Sequence, residues 1–164
     1  MKKTNKLSVL AMTVAVAMVL SFIESQIPAF VSIPGVKMGL ANVAVVFAIY
    51  RLGAREAVLV SLVRIFLISL LFGSFVSLAY SVAGAVLSLA VMLLLKKLTP
   101  MSSVGVSVAG GVAHNVGQIA VACFLLDTAE IVYYLPFLVL SGTLAGVAIG
   151  IISGVLVKRI STKI

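Results

Sequence analysis

The chain's single histidine lies in a short polar stretch, GGVAHNVGQI, at residues 110–119. His114 and Gln118 are four residues apart and Asn115 follows His114, so the three side chains share one face of a helix. Such a face can bind a ligand through hydrogen bonds, or it can join neighbouring helices inside a bundle. In either case it must point inward, because unpartnered polar groups are unstable in an apolar surrounding. Three polar groups on one face favour ligand binding over helix joining.

Further polar residues interrupt other apolar stretches. Arg64 lies inside VSLVRIFLISLLF, Glu24 is near the end of the first apolar stretch, and Lys37 and Asn42 flank the start of the second. We predict that these residues gather with the helical trio in one binding site, although Glu24 and Lys37 could also be solvated charges at a rim. The predicted ligand-binding residues are Glu24, Lys37, Asn42, Arg64, His114, Asn115 and Gln118.

Signatures of catalysis are scarce. The chain has one His, one Cys and four acidic residues, too few for paired metal ligands or for the carboxylate clusters that hold magnesium on a diphosphate. It also has no Walker loop for nucleotide phosphates. We therefore expect no catalytic residues, no metal site, no cofactor and no enzyme activity in this chain.

The composition is that of an integral membrane protein. The sequence is 63% hydrophobic and 10% charged, whereas a soluble domain is about 25% charged. Mean hydropathy is +1.33, which leaves too few polar residues for a water-facing surface. The net charge is +8, but the Lys and Arg residues are spread between apolar segments and form no single basic patch, so we expect no nucleic-acid partner.

Six apolar segments predict an all-α bundle of six transmembrane helices, which forms a single domain over residues 1–164. Most are close to the roughly 20 residues that cross about 30 Å of hydrocarbon, and the second and third are shorter. The stretch SQIPAFVSIPGVKMG between the first two has two prolines and two glycines, which predicts a loop folded back onto the bundle. The predicted helices are 7–26, 38–52, 56–72, 75–95, 102–126 and 134–157.

The basic residues predict the orientation in the membrane. Ten of the 12 Lys and Arg residues lie at alternate ends of the helices, so both termini should be cytoplasmic in a multi-pass protein of the cell membrane. The predicted site then lies in the outer half of the bundle. Counted from the cytoplasmic face, Arg64 and Glu24 differ in depth by about 13 Å at 1.5 Å per residue, which argues against a direct ion pair.

Small residues predict close helix packing in two segments. In SGTLAGVAIGIISGVLV a glycine occurs at every fourth position, which gives a flat surface for another helix, inside or outside the protein. A shorter pair in AMTVA consists of Ala11 and Ala15. The glycines predicted to pack are Gly142, Gly146, Gly150 and Gly154.

Two stretches carry a family resemblance: IPGVKMGLANVAVVFAIYRLG at 33–53 and GGVAHNVGQIAVA at 110–122. With the six-helix plan, they resemble the Gx transporter family, also called heptaprenyl diphosphate synthase component I. That family is similar to the S components of energy-coupling factor (ECF) transporters, which are six-helix membrane proteins that capture a small molecule from outside. The resemblance implies an S-component-like bundle with a coupling transmembrane subunit and two cytoplasmic ATPases as partners.

The resemblance also implies roles for particular residues. In S components an Ala-x-x-x-Ala pair in the first helix is where the coupling subunit docks, which implies that role for Ala11 and Ala15. Lys37, Arg64 and His114 favour an anionic or strongly hydrogen-bonding ligand. The alternative is a membrane subunit that holds a prenyl diphosphate or a quinone-like lipid for a partner enzyme. A third possibility is a purely structural bundle whose glycine row recruits partners.

Overall fold

The computed structural model describes residues 3–26, 39–72 and 75–160. This part of the chain is all-helical, as predicted, with six α-helices and a short 3-10 helix (Glu130–Tyr134). The α-helices are α1 (Lys3–Gln26), α2 (Asn42–Arg51), α3 (Ala54–Phe72), α4 (Phe75–Leu98), α5 (Ser103–Leu126) and α6 (Leu135–Arg159).

The predicted helix boundaries are wrong mainly for α2, which was predicted over 38–52 and begins only at Asn42. Gly39, just before it, has φ +76°, in the left-handed region that a right-handed helix does not use. The helices α1, α4 and α6 instead extend beyond their apolar segments into Lys- and Arg-containing turns. Lysine and arginine are good helix formers, so hydropathy alone underestimates helix length.

Four helical stretches in the described residues are long and apolar enough to cross a membrane. The chain is therefore a multi-pass membrane protein. α3 has 19 residues but carries three charged side chains, and α2 has only 10 residues, so it is about 15 Å long. The four long apolar stretches are Asn5–Gln26, Phe75–Leu98, Ser103–Leu126 and Glu130–Arg159.

The short helix α2 forms the centre of the bundle. Residues 43–49 are all buried, so α2 has no face left for lipid or water, and α1, α3, α5 and α6 pack against it. Val60 and Ile149 belong to the same apolar core. Ser153 is fully buried and donates a hydrogen bond from Oγ to the carbonyl of Val43 at 3.2 Å, which ties α6 to α2.

One end of the bundle, here called the basic end, gathers most of the described basic residues. The guanidinium of Arg51 donates to the carbonyl of Ile160, and the ammonium of Lys96 donates to the carbonyl of Ile49. These bonds bring the ends of α2, α4 and α6 together, and cations there complement the negative ends of the helix dipoles. The basic end comprises Lys6, Arg51, Arg55, Lys96, Lys97, Lys158 and Arg159.

Two contacts fix the register between α1 and α3, which run parallel. Lys6 forms an ion pair with Glu56 at the basic end, and the rings of Phe22 and Phe72 lie 5.3 Å apart between centroids near the other end. Both contacts join a residue of α1 to the residue of α3 that is 50 positions later. This register determines the relative depth of the polar residues on the two helices.

The glycine row of α6 packs on α5, so its partner helix lies inside the protein. A Cβ atom at Gly146 would lie 2.6 Å from the Cα of Val108, and one at Gly150 would lie 2.5 Å from the Cα of Val104. The two backbones touch at these points, and no side chain fits between them. The glycines that contact α5 are Gly142, Gly146, Gly150 and Gly154.

Candidate ligand-binding site

A polar cavity of about 40 Å³ lies among α1, α3, α4, α5 and the start of α2. It reaches from the middle of the bundle towards the end opposite the basic end, since His114 is eleven residues, or about 17 Å, into α5. Seven of its ten lining residues have polar or charged side chains, and such groups at membrane depth mark functional sites. The lining residues are Ser21, Glu24, Gly39, Asn42, Arg64, Ile65, Ile68, Ser69, Ser81 and His114.

Arg64 and Glu24 face this cavity from neighbouring helices and interact electrostatically. The register of α1 and α3 places Arg64 ten residues, or about 15 Å, closer to the basic end than Glu24, which agrees with the depth difference estimated from the sequence. That estimate considered only the backbone, whereas the long Arg64 side chain reaches the cavity that Glu24 also lines. The difference in backbone depth therefore does not prevent the two side chains from lining one cavity.

The Arg64 guanidinium is incompletely satisfied. Its Nε atom is fully buried and has no hydrogen-bond partner within the described residues. A buried donor without an acceptor costs about 1–3 kcal/mol. This unsatisfied donor belongs to a residue that lines the polar cavity.

Glu24 connects α1 to the turn before α2. It is only 9% exposed, and its carboxylate accepts a hydrogen bond from the backbone N–H of Gly39. A Cβ atom at Gly39 would lie 3.2 Å from Nδ2 of Asn42. Both the positive φ and this short distance favour glycine at position 39.

The N-terminus of α2 points into the cavity, because Gly39 and Asn42 both line it. α2 begins about 15 Å from the basic end, close to mid-depth in the bundle. The aligned peptide dipoles give this end a partial positive charge, which favours a negatively charged group. The N–H of Gly39 at this end already donates to the Glu24 carboxylate, and Arg64 faces the same cavity.

His114 separates this cavity from a second one of about 20 Å³ between α2, α5 and α6. Its ring lies against Gly84 of α4, where a Cβ atom would be 2.8 Å from the ring carbon Cε1. Gly39, Asn42 and His114 line both cavities, so the two adjoin. The second cavity is also lined by Val46, Met92, Ser107, Gly110, Gly111, Asn115, Ser141, Gly142, Ala145, Gly146 and Ile149.

Comparison with known protein families assigns the chain. A family model described as heptaprenyl diphosphate synthase component I matches residues 13–156. The chain belongs to this family. The match includes every residue that lines the two cavities. A comparison with curated proteins gives no match, and neither does one with solved structures.

In this member of the heptaprenyl diphosphate synthase component I family, the three polar residues of α5 differ in position. His114 lines both cavities. Asn115 is 5% exposed, donates from Nδ2 to the carbonyl of Leu138 at 2.6 Å, and also lines the second cavity. Gln118 is buried in the bundle but borders neither cavity. His114 and Asn115 therefore line cavities, and Asn115 also joins α5 to α6.

The predicted site residues and the residues that line the first cavity do not fully coincide. Lys37 lies outside the described residues. The hydroxyls of Ser21, Ser69 and Ser81 line the first cavity and were not among the predicted site residues. Ser21 is three residues from Glu24 and could have been found by helical spacing, whereas Ser69 and Ser81 reach the cavity only through packing of α3 and α4. In the part of the chain that the structure describes, no three His, Cys, Asp or Glu residues gather as metal ligands.

The role of Asn115 in joining helices is testable. Asn115→Ala is expected to reduce stability by about 1–3 kcal/mol, because it removes a buried amide and its bond to the carbonyl of Leu138. The measurement is the melting temperature in detergent. Thr143→Val is the comparison variant and should cost less, because among the described residues the Thr143 hydroxyl donates to Val139 of its own helix at 2.8 Å and joins no other helix. Equal melting of Asn115→Ala and wild type would exclude a structural role.

Proposed function

We propose that this chain is the substrate-binding membrane (S) subunit of an ECF-type importer. It captures a small molecule with an anionic group from the outer face of the cell membrane. The observation that carries this proposal is the buried, unpartnered Nε of Arg64 at the wall of a polar cavity. If the basic end is cytoplasmic, as the positive-inside rule requires, this cavity belongs to the outer half of the bundle.

The proposal includes six membrane crossings with both termini in the cytoplasm. α1 begins at the basic end, and α3 begins there too, as the Lys6–Glu56 ion pair demonstrates. The chain between them therefore has to return across the bundle, and α2 is the part of this return that ends at the basic end. On this basis α2 counts as a crossing although its helix is only 10 residues long.

Energy for import is proposed to come from partners, because we assign no catalytic residue to this chain. These partners are a coupling transmembrane subunit and two cytoplasmic ATPases. Ala11 and Ala15 are exposed on α1 beside Met12 and Val16. This face combines small and apolar residues, is exposed among the described residues, and supports docking of the coupling subunit there.

The family description favours a second candidate function. A component of heptaprenyl diphosphate synthase would hold a prenyl diphosphate or a similar lipid for a partner enzyme in the cytoplasm. Such a partner would take its ligand from the basic end, but His114 lies about 17 Å from that end and the cavity extends away from it. The position of the cavity therefore supports capture from outside over transfer to a cytoplasmic enzyme.

The proposal predicts a molecule that remains bound during purification. Wild-type protein purified in mild detergent is expected to release one small molecule per chain on denaturation, detected by mass spectrometry. His114→Ala and Asn42→Ala should each reduce the recovered amount about tenfold, because each removes a polar contact to a charged ligand worth roughly 1.5–3 kcal/mol. Thr143→Val, away from both cavities, serves as the control and should retain the molecule.

Co-purification of partners distinguishes the two candidate functions. Recovery of a membrane subunit with two ATPases would support the importer, and recovery of a soluble prenyl synthase would overturn it in favour of the second candidate. Absence of any released molecule, together with unchanged melting in the presence of a broad metabolite library, would contradict both.

A further inference from the structure

The charges that line the first cavity indicate the class of its ligand. Glu24 of α1 supplies one negative group and Arg64 of α3 supplies one positive group to the same space. We infer that the ligand is a small zwitterion, such as an α-amino acid, with its carboxylate at Arg64 and its ammonium group at Glu24. This inference rests on the proposed function and specifies the substrate class of that site.

The carboxylate end follows from the donors on one side of the cavity. The buried Nε of Arg64 has no hydrogen-bond partner among the described residues. A guanidinium presents two parallel N–H groups that match the two oxygens of a carboxylate.

The ammonium end follows from Glu24. An anion that bound at Arg64 alone would place a second negative charge in the cavity that Glu24 lines, and like charges repel strongly where the dielectric constant is low. A simple cation would meet the same difficulty with Arg64. A ligand with both charges close together presents an opposite charge to each residue and brings no net charge to membrane depth, where net charge is costly.

The size of the two cavities limits the ligand further. A water molecule needs roughly 10–15 Å³ of such volume, so the first cavity, of about 40 Å³, holds about three non-hydrogen atoms, and the second cavity beyond His114, of about 20 Å³, holds about two more. Glycine and alanine are of this size, whereas a diphosphate group is larger. The second cavity offers Val46, Met92 and Ile149 as apolar walls, which suit a short aliphatic side chain.

Three probes of matched shape test this inference on the full chain in lipid nanodiscs, by calorimetry or thermal shift. L-alanine carries both charges, propionate lacks the ammonium group, and ethylamine lacks the carboxylate. Alanine is expected to bind at least tenfold more tightly than either of the others. Glu24→Gln should weaken alanine about tenfold without weakening propionate, and Arg64→Gln should weaken alanine without weakening ethylamine. Glu130→Gln, an exposed acid on the 3-10 helix, is the matched control.

The remaining outcomes distinguish failure of the zwitterion inference from failure of the proposed function. If propionate or inorganic diphosphate binds more tightly than alanine and Arg64→Gln abolishes that binding, the inference of a zwitterionic ligand is wrong. The cavity is then still a binding site, for an anion. If no probe binds but wild type releases a molecule that His114→Ala loses, the zwitterion is wrong and the proposed function stands. If no probe binds and no molecule is released, both are overturned.

Discussion

Gly150→Leu is expected to yield protein that does not form a stable bundle, and Gly150→Ala is expected to lose about 1–3 kcal/mol or more of stability. The reason is the distance of 2.5 Å between a Cβ atom at this position and the Cα of Val104. Backbone atoms cannot rotate aside as a side chain can, so α6 must move away from α5. Because α6 also covers α2, the core opens with it. Monodisperse yield and melting temperature are the measurements.

The same row provides the control. At Gly154 a Cβ atom would meet Oγ of Ser103 at 2.7 Å, and this hydroxyl belongs to a side chain that can change rotamer. Gly154→Ala should therefore cost no more than about 1 kcal/mol, the value of the bond from Ser103 to the carbonyl of Gly150. Similar melting of Gly150→Ala and Gly154→Ala would mean that the helices separate easily, against the close contact described above.

The double variant Glu24→Gln/Arg64→Met is expected to stabilise the ligand-free protein while it abolishes binding. Replacing buried charges by neutral groups of similar size is often stabilising by about 1–4 kcal/mol, and the Arg64 Nε that is removed has no hydrogen-bond partner within the described residues. The glutamine amide oxygen at position 24 can still accept the N–H of Gly39. Retention of the co-purified molecule should fall about 100-fold, because both charged contacts are removed.

A second double variant on α1 and α3 tests whether the result is specific to Glu24 and Arg64 or follows from removal of any charge pair on these helices. Lys6→Met/Glu56→Gln removes the ion pair at the basic end, where contact with water limits its contribution to about 1 kcal/mol or less. Binding should be unchanged in this variant. If Glu24→Gln/Arg64→Met melts at a lower temperature than wild type from which the bound molecule has been removed, the two charges are a structural pair, and the cavity between them loses its functional interpretation.

The sequence was sufficient to predict the helices, because apolar segments and their interruptions are local signals. The six helices and the inward placement of Asn115 and Gln118 follow from spacing alone. The start of α2 required knowledge of the φ angle of Gly39, which is a property of the folded turn. Hydropathy therefore extended α2 over residues 39–41, which precede the helix.

The cavity itself depends on tertiary packing and so lay beyond sequence reasoning. The depth difference between Arg64 and Glu24 was correct for the backbone, but their shared cavity depends on the length of one side chain. The glycine row of α6 indicated close packing, whereas the identity of α5 as its partner appears only in the assembled bundle. Ser69 and Ser81 likewise become site residues only through the neighbours of α3 and α4.

The burial of residues 43–49 on every side of α2 has a consequence for the order of folding. This segment is synthesised early, yet part of its environment is α6, as the bond from Ser153 to the carbonyl of Val43 demonstrates across 110 positions of sequence. Contacts so distant along the chain form late, because a long loop must close first. Packing around α2 is therefore completed last, when α6 joins the bundle. Until then the core of the nascent chain is incompletely packed.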